Sequence, residues 1–139
     1  MALQLKNWPL NQLPGLSDEQ LASLQAIGLK TTQDLLTQTR SPQALQKTAK
    51  QLKLPLRYPQ KWAALAALAQ LPSIGCQYCG LILHSGIASI PQLATAAPGR
   101  LHSQILRLHT ATLRRSDLCP TPDQVVAWVR EAKQFVQSR

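Results

Sequence analysis

The sequence predicts an all-α fold of two helix-hairpin-helix repeats with linking helices and a C-terminal amphipathic helix. The first observation is a repeat, because LPGLS at 13–17 returns fifty-eight residues later as LPSIG at 71–75. A fixed offset indicates one supersecondary unit built twice. The second observation is that aromatic residues make up only 4% of the chain, which leaves a core of Leu, Ala and Ile that suits packed helices.

We expect a single domain over residues 1–139. Its length is enough to bury a hydrophobic core. Its predicted parts are the first hairpin unit at 13–36, linking helices at 41–70, the second hairpin unit at 71–97 and C-terminal helices at 99–139.

A lead-in segment, residues 1–12, precedes the first helix, and Trp8 is expected to anchor it. The hydroxyl of Ser17 is expected to cap that helix, and Gln20 completes a capping box. Gly28 ends the helix, because glycine readily takes the left-handed conformation that terminates helices.

Two further capping signals set the next helices. Thr31 is expected to cap a helix that runs through Leu36, with Asp34 at its positive end. Ser41 and Pro42 start the following helix, because serine supplies a cap and proline fits the first turn.

The remaining helices follow from proline positions and apolar spacing. Pro59 is expected to start a helix before the second hairpin unit. A longer helix is expected from about Gly99 to Leu113, and Thr121 caps the last one. The last helix has an amphipathic pattern whose apolar members are Val125, Val126, Trp128 and Val129.

Charge is unevenly distributed along the chain. The formal net charge is +9, and the stretch between Asp34 and Asp117 holds ten Lys and Arg residues and no acidic residue. Such a surface attracts anions, whether nucleic acid, anionic lipid, acidic protein or haem propionates. The alternative is a solvated surface without a specific partner.

No apolar run approaches the roughly 20 residues that span a bilayer and no signal peptide is apparent, so we expect a cytoplasmic protein.

The two turns partly match the turns that bind phosphate in DNA-binding hairpins, which read apolar-Pro-Gly-apolar-Gly. Those glycines let the backbone approach a phosphate. Here Gly15 keeps the first glycine and Gly75 the second, with serine at the other position of each turn. Sequence-independent nucleic-acid binding is one hypothesis, and turns that only close the hairpins are the alternative. The candidate residues are Gly15, Gly75, Lys30, Lys47, Lys50, Lys53, Arg57 and Lys61.

Cys76 and Cys79 begin the first helix of the second unit. The helix dipole there lowers the pKa of a thiol and favours a ligand or a nucleophile. A lone CxxC is a weak signal, because zinc sites of this kind need a second pair of ligands. The alternative for Cys79 is a small core residue, because it continues the apolar face of Leu83.

The histidines suggest a cofactor site. His102 and His109 lie seven residues apart, and hence on one helix face with Ile105 and Leu106. Haem is bound by an imidazole in an apolar wall with arginines near its edge. The alternative is that both histidines bond to backbone carbonyls. The candidate haem-binding residues are His102, His109, His84, Cys76, Cys79 and Arg107, and no metal ligand set is assigned.

The whole pattern resembles a family of small helix-hairpin-helix proteins of cyanobacteria and plastids that is described as a domain of unknown function. The resemblance covers the chain from about residue 10 and implies the tandem hairpin fold. Because small members are associated with haem binding, it also implies haem as a cofactor. The matching segments are LPGL at 13–16, AIGLKTTQDLL at 26–36, LPSIG at 71–75, RR at 114–115, PT at 120–121 and VVAWV at 125–129.

We expect no enzymatic activity, because paired carboxylates, a Ser-His-Asp arrangement and a phosphate loop are all missing from the sequence. The leading hypothesis is a small haem-binding adaptor that regulates a protein partner. Sequence-independent nucleic-acid binding and a pure protein–protein adaptor are the alternatives, and a homodimer stays open.

Overall fold

The computed structural model describes residues 4–113 and 120–137, and side chains for 4–108 and 120–137. Regular structure in these ranges is helical, apart from one isolated bridge between Pro9 and Thr31, which confirms the predicted all-α class. One turn of 3₁₀ helix, Leu10–Gln12, precedes the α-helices. The α-helices are α1 (Asp18–Ala26), α2 (Thr32–Gln38), α3 (Pro42–Leu52), α4 (Arg57–Ala69), α5 (Gly75–His84), α6 (Ile90–Ala94), α7 (Pro98–Leu113) and α8 (Pro122–Gln137).

Capping side chains start the helices of the first unit where the sequence predicts them. Gln20 N–H donates to the Ser17 hydroxyl at 3.1 Å, and Ser17 N–H donates to the Gln20 side chain at 3.0 Å. Thr31 and Asp34 form a second capping box at the start of α2. The pKa of the Asp34 carboxyl lies below its usual value, mainly because the Lys30 N–H donates to it. The N–H and hydroxyl of Thr31 lower this pKa further. The amide groups before α2 are therefore already bound by an internal carboxylate.

Three details of the helix predictions are wrong. α4 begins at Arg57 rather than Pro59, and Leu56 precedes it without a side-chain cap. Proline is tolerated there because the N–H groups of the first turn have no partner within the helix. Val126 of α8 and Leu106 of α7, both predicted on apolar faces, are 46% and 38% exposed.

The core is one hydrophobic cluster with buried side chains from α1, α2 and α4–α8. Trp62, Leu65 and Leu68 form an apolar stripe on α4 and are each at most 1% exposed. α4 packs against α2, α3 and α5, whereas α8 packs against α6 and α7. None of the helices in the described ranges has both the length and the hydropathy that crossing a membrane requires.

Trp8 anchors the lead-in segment, as the sequence predicts. Its indole Nε1 donates to the Ala69 carbonyl oxygen at 2.8 Å, and Thr32 N–H donates to the Trp8 carbonyl oxygen at 2.8 Å. Its ring also lies against Gly75, where an added Cβ would stand 3.1 Å from the indole. Trp8 thus joins the start of α2 to the turn before α5.

The two copies of the repeat contact each other but are not equally buried. Pro14 of the first turn packs on α5, where an added Cβ on Gly80 would lie 3.5 Å from its Cγ. α1 buries Leu24, while Leu21 and Ile27 are half-buried. The first copy therefore lies at the edge of the core and keeps much of its surface in solvent.

Candidate functional site

The first turn, residues 13–17, is open to solvent. Gly15 is exposed and has a φ of +85°, a left-handed conformation that favours glycine. The side chain of Lys61, from α4, lies against this turn, and its Nζ is 3.7 Å from the position that a Cβ on Gly15 would take. Among the described residues no acceptor bonds the Gly15 N–H. The Lys61 ammonium group and the unbonded Gly15 amide therefore lie close together at one exposed turn.

The second turn, residues 71–75, is closed by other parts of the chain. Ser73 N–H donates to the Glu131 carboxylate at 3.0 Å, and Trp128 Nε1 donates to the Ser73 carbonyl oxygen at 3.1 Å. Gly75, predicted as a contact for nucleic acid, is buried beneath Trp8. An internal carboxylate from α8 thus binds the backbone amide that corresponds to the Gly15 amide of the first turn.

Replacing Gly75 by alanine is expected to destabilise the protein by about 2 kcal/mol, because the left-handed backbone and the Trp8 ring both oppose a Cβ. Gly75 has a φ of +57° and the ring lies 3.1 Å from the added atom. Gly28→Ala is the matched control, since Gly28 has a φ of +91° and, its chain neighbours apart, no described residue has a heavy atom within 4 Å of an added Cβ. Urea unfolding followed by circular dichroism compares the two. Equal losses of stability would contradict the packing of Trp8 on this turn.

Five cations form what we term the basic surface, and each is exposed. They lie on the adjacent helices α3 and α4 or between them, and α3 packs against α4. Arg57 is held by a cation–π contact, with its guanidinium carbon 5.1 Å from the centre of the Tyr58 ring. No carboxylate among the described residues pairs with these five side chains. The basic surface consists of Lys47, Lys50, Lys53, Arg57 and Lys61.

Two features limit the positively charged area. Asp18 and Glu19 are exposed in the first turn of α1, directly after the open turn. Lys30 lies beyond the other end of α1, where its N–H donates to the Asp34 carboxylate at 3.1 Å. The structure therefore brings Lys61, but not Lys30, to the first turn.

The cysteines do not have the lowered pKa that the helix dipole predicts. Burial raises the pKa of the Cys79 thiol to about 12 and also raises the pKa of Cys76. Cys79 is fully buried, which confirms its alternative interpretation as a small core residue. Desolvation outweighs the helix dipole here, because a thiolate loses more from leaving water than it gains from partial charges.

The candidate haem-binding residues whose side chains are described lie on α5 and α7, and no three of their His and Cys side chains form a cluster. His102 is half-buried, and its Nε2 donates to the Pro120 carbonyl oxygen at 3.0 Å, which matches the alternative interpretation. His84 is exposed at the end of α5 and Arg107 is exposed on α7. The side chain of His109 lies outside the described residues. Haem binding stays a prediction.

Metal binding has no support in the described ranges either. No three side chains of His, Cys, Asp and Glu come close enough there to hold a metal ion. A cavity of about 310 Å³ beside the second turn includes Cys76 in its lining but has no histidine. The half-buried thiol, with its raised pKa, is poorly suited to ligate a metal.

No pattern in the sequence indicates that side chains of α8 bond the second turn. The apolar pattern of α8 predicts that Trp128 is buried but does not identify its partner, the Ser73 carbonyl group. Glu131 reads as a surface carboxylate, although it bonds a turn fifty-eight residues away. Long-range contacts therefore distinguish two turns that look alike in sequence.

Comparison with known proteins places residues 14–135 in one family model, described as a domain of unknown function, DUF4332. No curated protein and no solved structure gives a significant match to the chain.

Proposed function

The chain belongs to the DUF4332 family of domains of unknown function, and from that premise we propose a non-enzymatic protein that binds nucleic acid without sequence preference. The two copies are proposed to form a tandem helix-hairpin-helix in which only the first turn contacts the ligand. The basic surface and the Gly15 turn would hold the phosphate backbone.

The position of Lys61 carries this proposal. Its ammonium group lies at the exposed Gly15 turn, so one phosphate could accept from both the ammonium and a backbone amide. Backbone amides at glycine turns and lysine side chains are standard phosphate ligands. The second turn lacks this opportunity because Glu131 already accepts from Ser73 N–H.

The charges around the turn set the proposed path of the strand. Asp18 and Glu19 would repel a phosphate that approached along α1. The other four cations of the basic surface lie on α3, on α4 or between these helices, and α4 also carries Lys61. We therefore propose that the strand runs from the Gly15 turn across α4 towards α3.

The experiment that tests this function measures fluorescence anisotropy of short labelled DNA duplexes over a range of salt concentrations. Two duplexes of equal length and unrelated sequence are expected to bind with equal affinity. If the five basic side chains contact four or five phosphates, the logarithm of the affinity falls against the logarithm of salt with a slope of about −4.

Two results would contradict the proposal. Undetectable binding at low salt would favour an adaptor for an acidic protein instead. A strong preference between the duplexes would contradict binding to the backbone alone, because phosphate contacts carry no base information.

A further inference from the structure

A cavity of about 500 Å³ opens between α2, α4 and α6. This volume falls within the range of small-molecule sites in proteins. No residue in its lining belongs to the basic surface or to the first turn. The proposed nucleic-acid function therefore leaves this cavity unexplained.

Small side chains leave the space open. Ala63, Ala64 and Ala67 line the cavity from α4 and are each half-buried. Leu36 of α2 and Ile90 of α6 add apolar side chains to the lining. The apolar part of a ligand could lie on these side chains and leave water.

A polar side chain, that of Gln70, also lines the cavity. Gln70 is only 9% exposed, and its side-chain amide has no hydrogen-bond partner among the described residues. Its main chain, by contrast, is satisfied, since Lys6 N–H donates to the Gln70 carbonyl oxygen at 2.7 Å. The amide can therefore donate to or accept from a ligand that enters the cavity.

Arg40, which is exposed, is the one charged residue in the lining of this cavity, and no Asp or Glu is among the same residues. A guanidinium matches the planar fork of a carboxylate and can donate two parallel hydrogen bonds to it. The charge of one arginine balances one monoanion. The lining therefore combines an apolar surface with donors for one carboxylate group.

We propose that this cavity binds a small amphipathic carboxylate. Arg40 and the Gln70 amide hold the carboxylate group, and the alanine residues of α4 contact the apolar chain. The proposal is independent of nucleic-acid binding, because it uses no residue of the basic surface or of the first turn.

The test titrates decanoate into the ¹⁵N-labelled protein and follows amide resonances by NMR. Saturable shifts are expected at the Gln70 side-chain amide and at Ala63, Ala64 and Ala67. Decanol, which keeps the chain but lacks the charge, is expected to bind at least about fivefold more weakly. Shifts that never saturate, or that lie outside the cavity, would overturn the proposal.

Two sets of variants sharpen the test. Arg40→Gln is expected to weaken decanoate at least about fivefold and leave decanol unchanged, whereas the control Arg100→Gln on α7 leaves both unchanged. Ala64→Leu and Ala67→Leu, each checked for folding by circular dichroism, are expected to narrow the cavity along its apolar wall and to weaken decanoate binding. Unchanged decanoate affinity in Arg40→Gln, or in both folded leucine variants, would overturn the proposal.

Discussion

Replacing Lys61 by glutamate is expected to lower the affinity for a DNA duplex about tenfold at low salt. The substitution removes the ammonium group that lies 3.7 Å from the Cβ position of Gly15 and puts a carboxylate in its place. One phosphate contact is lost, so the salt slope is expected to become shallower by about one. Fluorescence anisotropy with the same duplex at several salt concentrations measures both quantities.

Lys133→Glu is the matched control for this substitution. Lys133 is exposed on α8, outside the basic surface, and the substitution changes the net charge by the same amount. We expect its affinity to stay within about threefold of wild type, because Lys133 lies outside the proposed interface and salt screens an exposed charge that does not contact the ligand. Equal losses in the two variants would show that net charge, rather than the Gly15 turn, governs binding.

Replacing Trp128 by alanine is expected to destabilise the protein by about 4 kcal/mol, the largest effect on stability that we predict. Trp128 is fully buried, donates to the Ser73 carbonyl oxygen at 3.1 Å and lies 5.1 Å from the Tyr78 ring centre. The substitution creates a cavity and removes one of the two hydrogen bonds that join α8 to the second turn. Urea unfolding followed by circular dichroism measures the loss.

Two variants make the result for Trp128 interpretable. Trp128→Phe keeps an aromatic ring but loses the N–H donor, so we expect a smaller loss of about 2 kcal/mol. Val126→Ala, on the same helix but 46% exposed, is expected to change stability by less than about 0.5 kcal/mol. If Trp128→Ala were as mild as Val126→Ala, α8 would not be docked on the second turn as described.

Local signals were enough to predict most of the helices. Hydroxyl caps act over three residues, and Ser17, Thr31 and Ser41 all cap the helices that the sequence assigns to them. The start of α4 is missed because Leu56 supplies no cap, and Pro59 is tolerated within the first turn. Helix boundaries can be predicted where a side chain marks them and are missed where none does.

The candidate site is less predictable because it depends on distant contacts. The sequence identifies Gly15, Gly75 and the cations, but both turns look equally available in it. Trp8 covers Gly75, and Glu131 bonds the backbone of the same turn. The cavity at Gln70 is missed for the same reason, since its walls come from helices far apart in the chain.

The most direct test of the proposed nucleic-acid interface compares the two turns in one titration of ¹⁵N-labelled protein with an unlabelled DNA duplex. The amide resonances of Gly15 and Leu16 are expected to shift saturably, while those of Ser73 and Gly75 stay in place because Glu131 and Trp8 close the second turn. Saturable shifts at Ser73 and Gly75 without shifts at Gly15 would contradict the proposed interface, as would DNA binding that shifts neither turn.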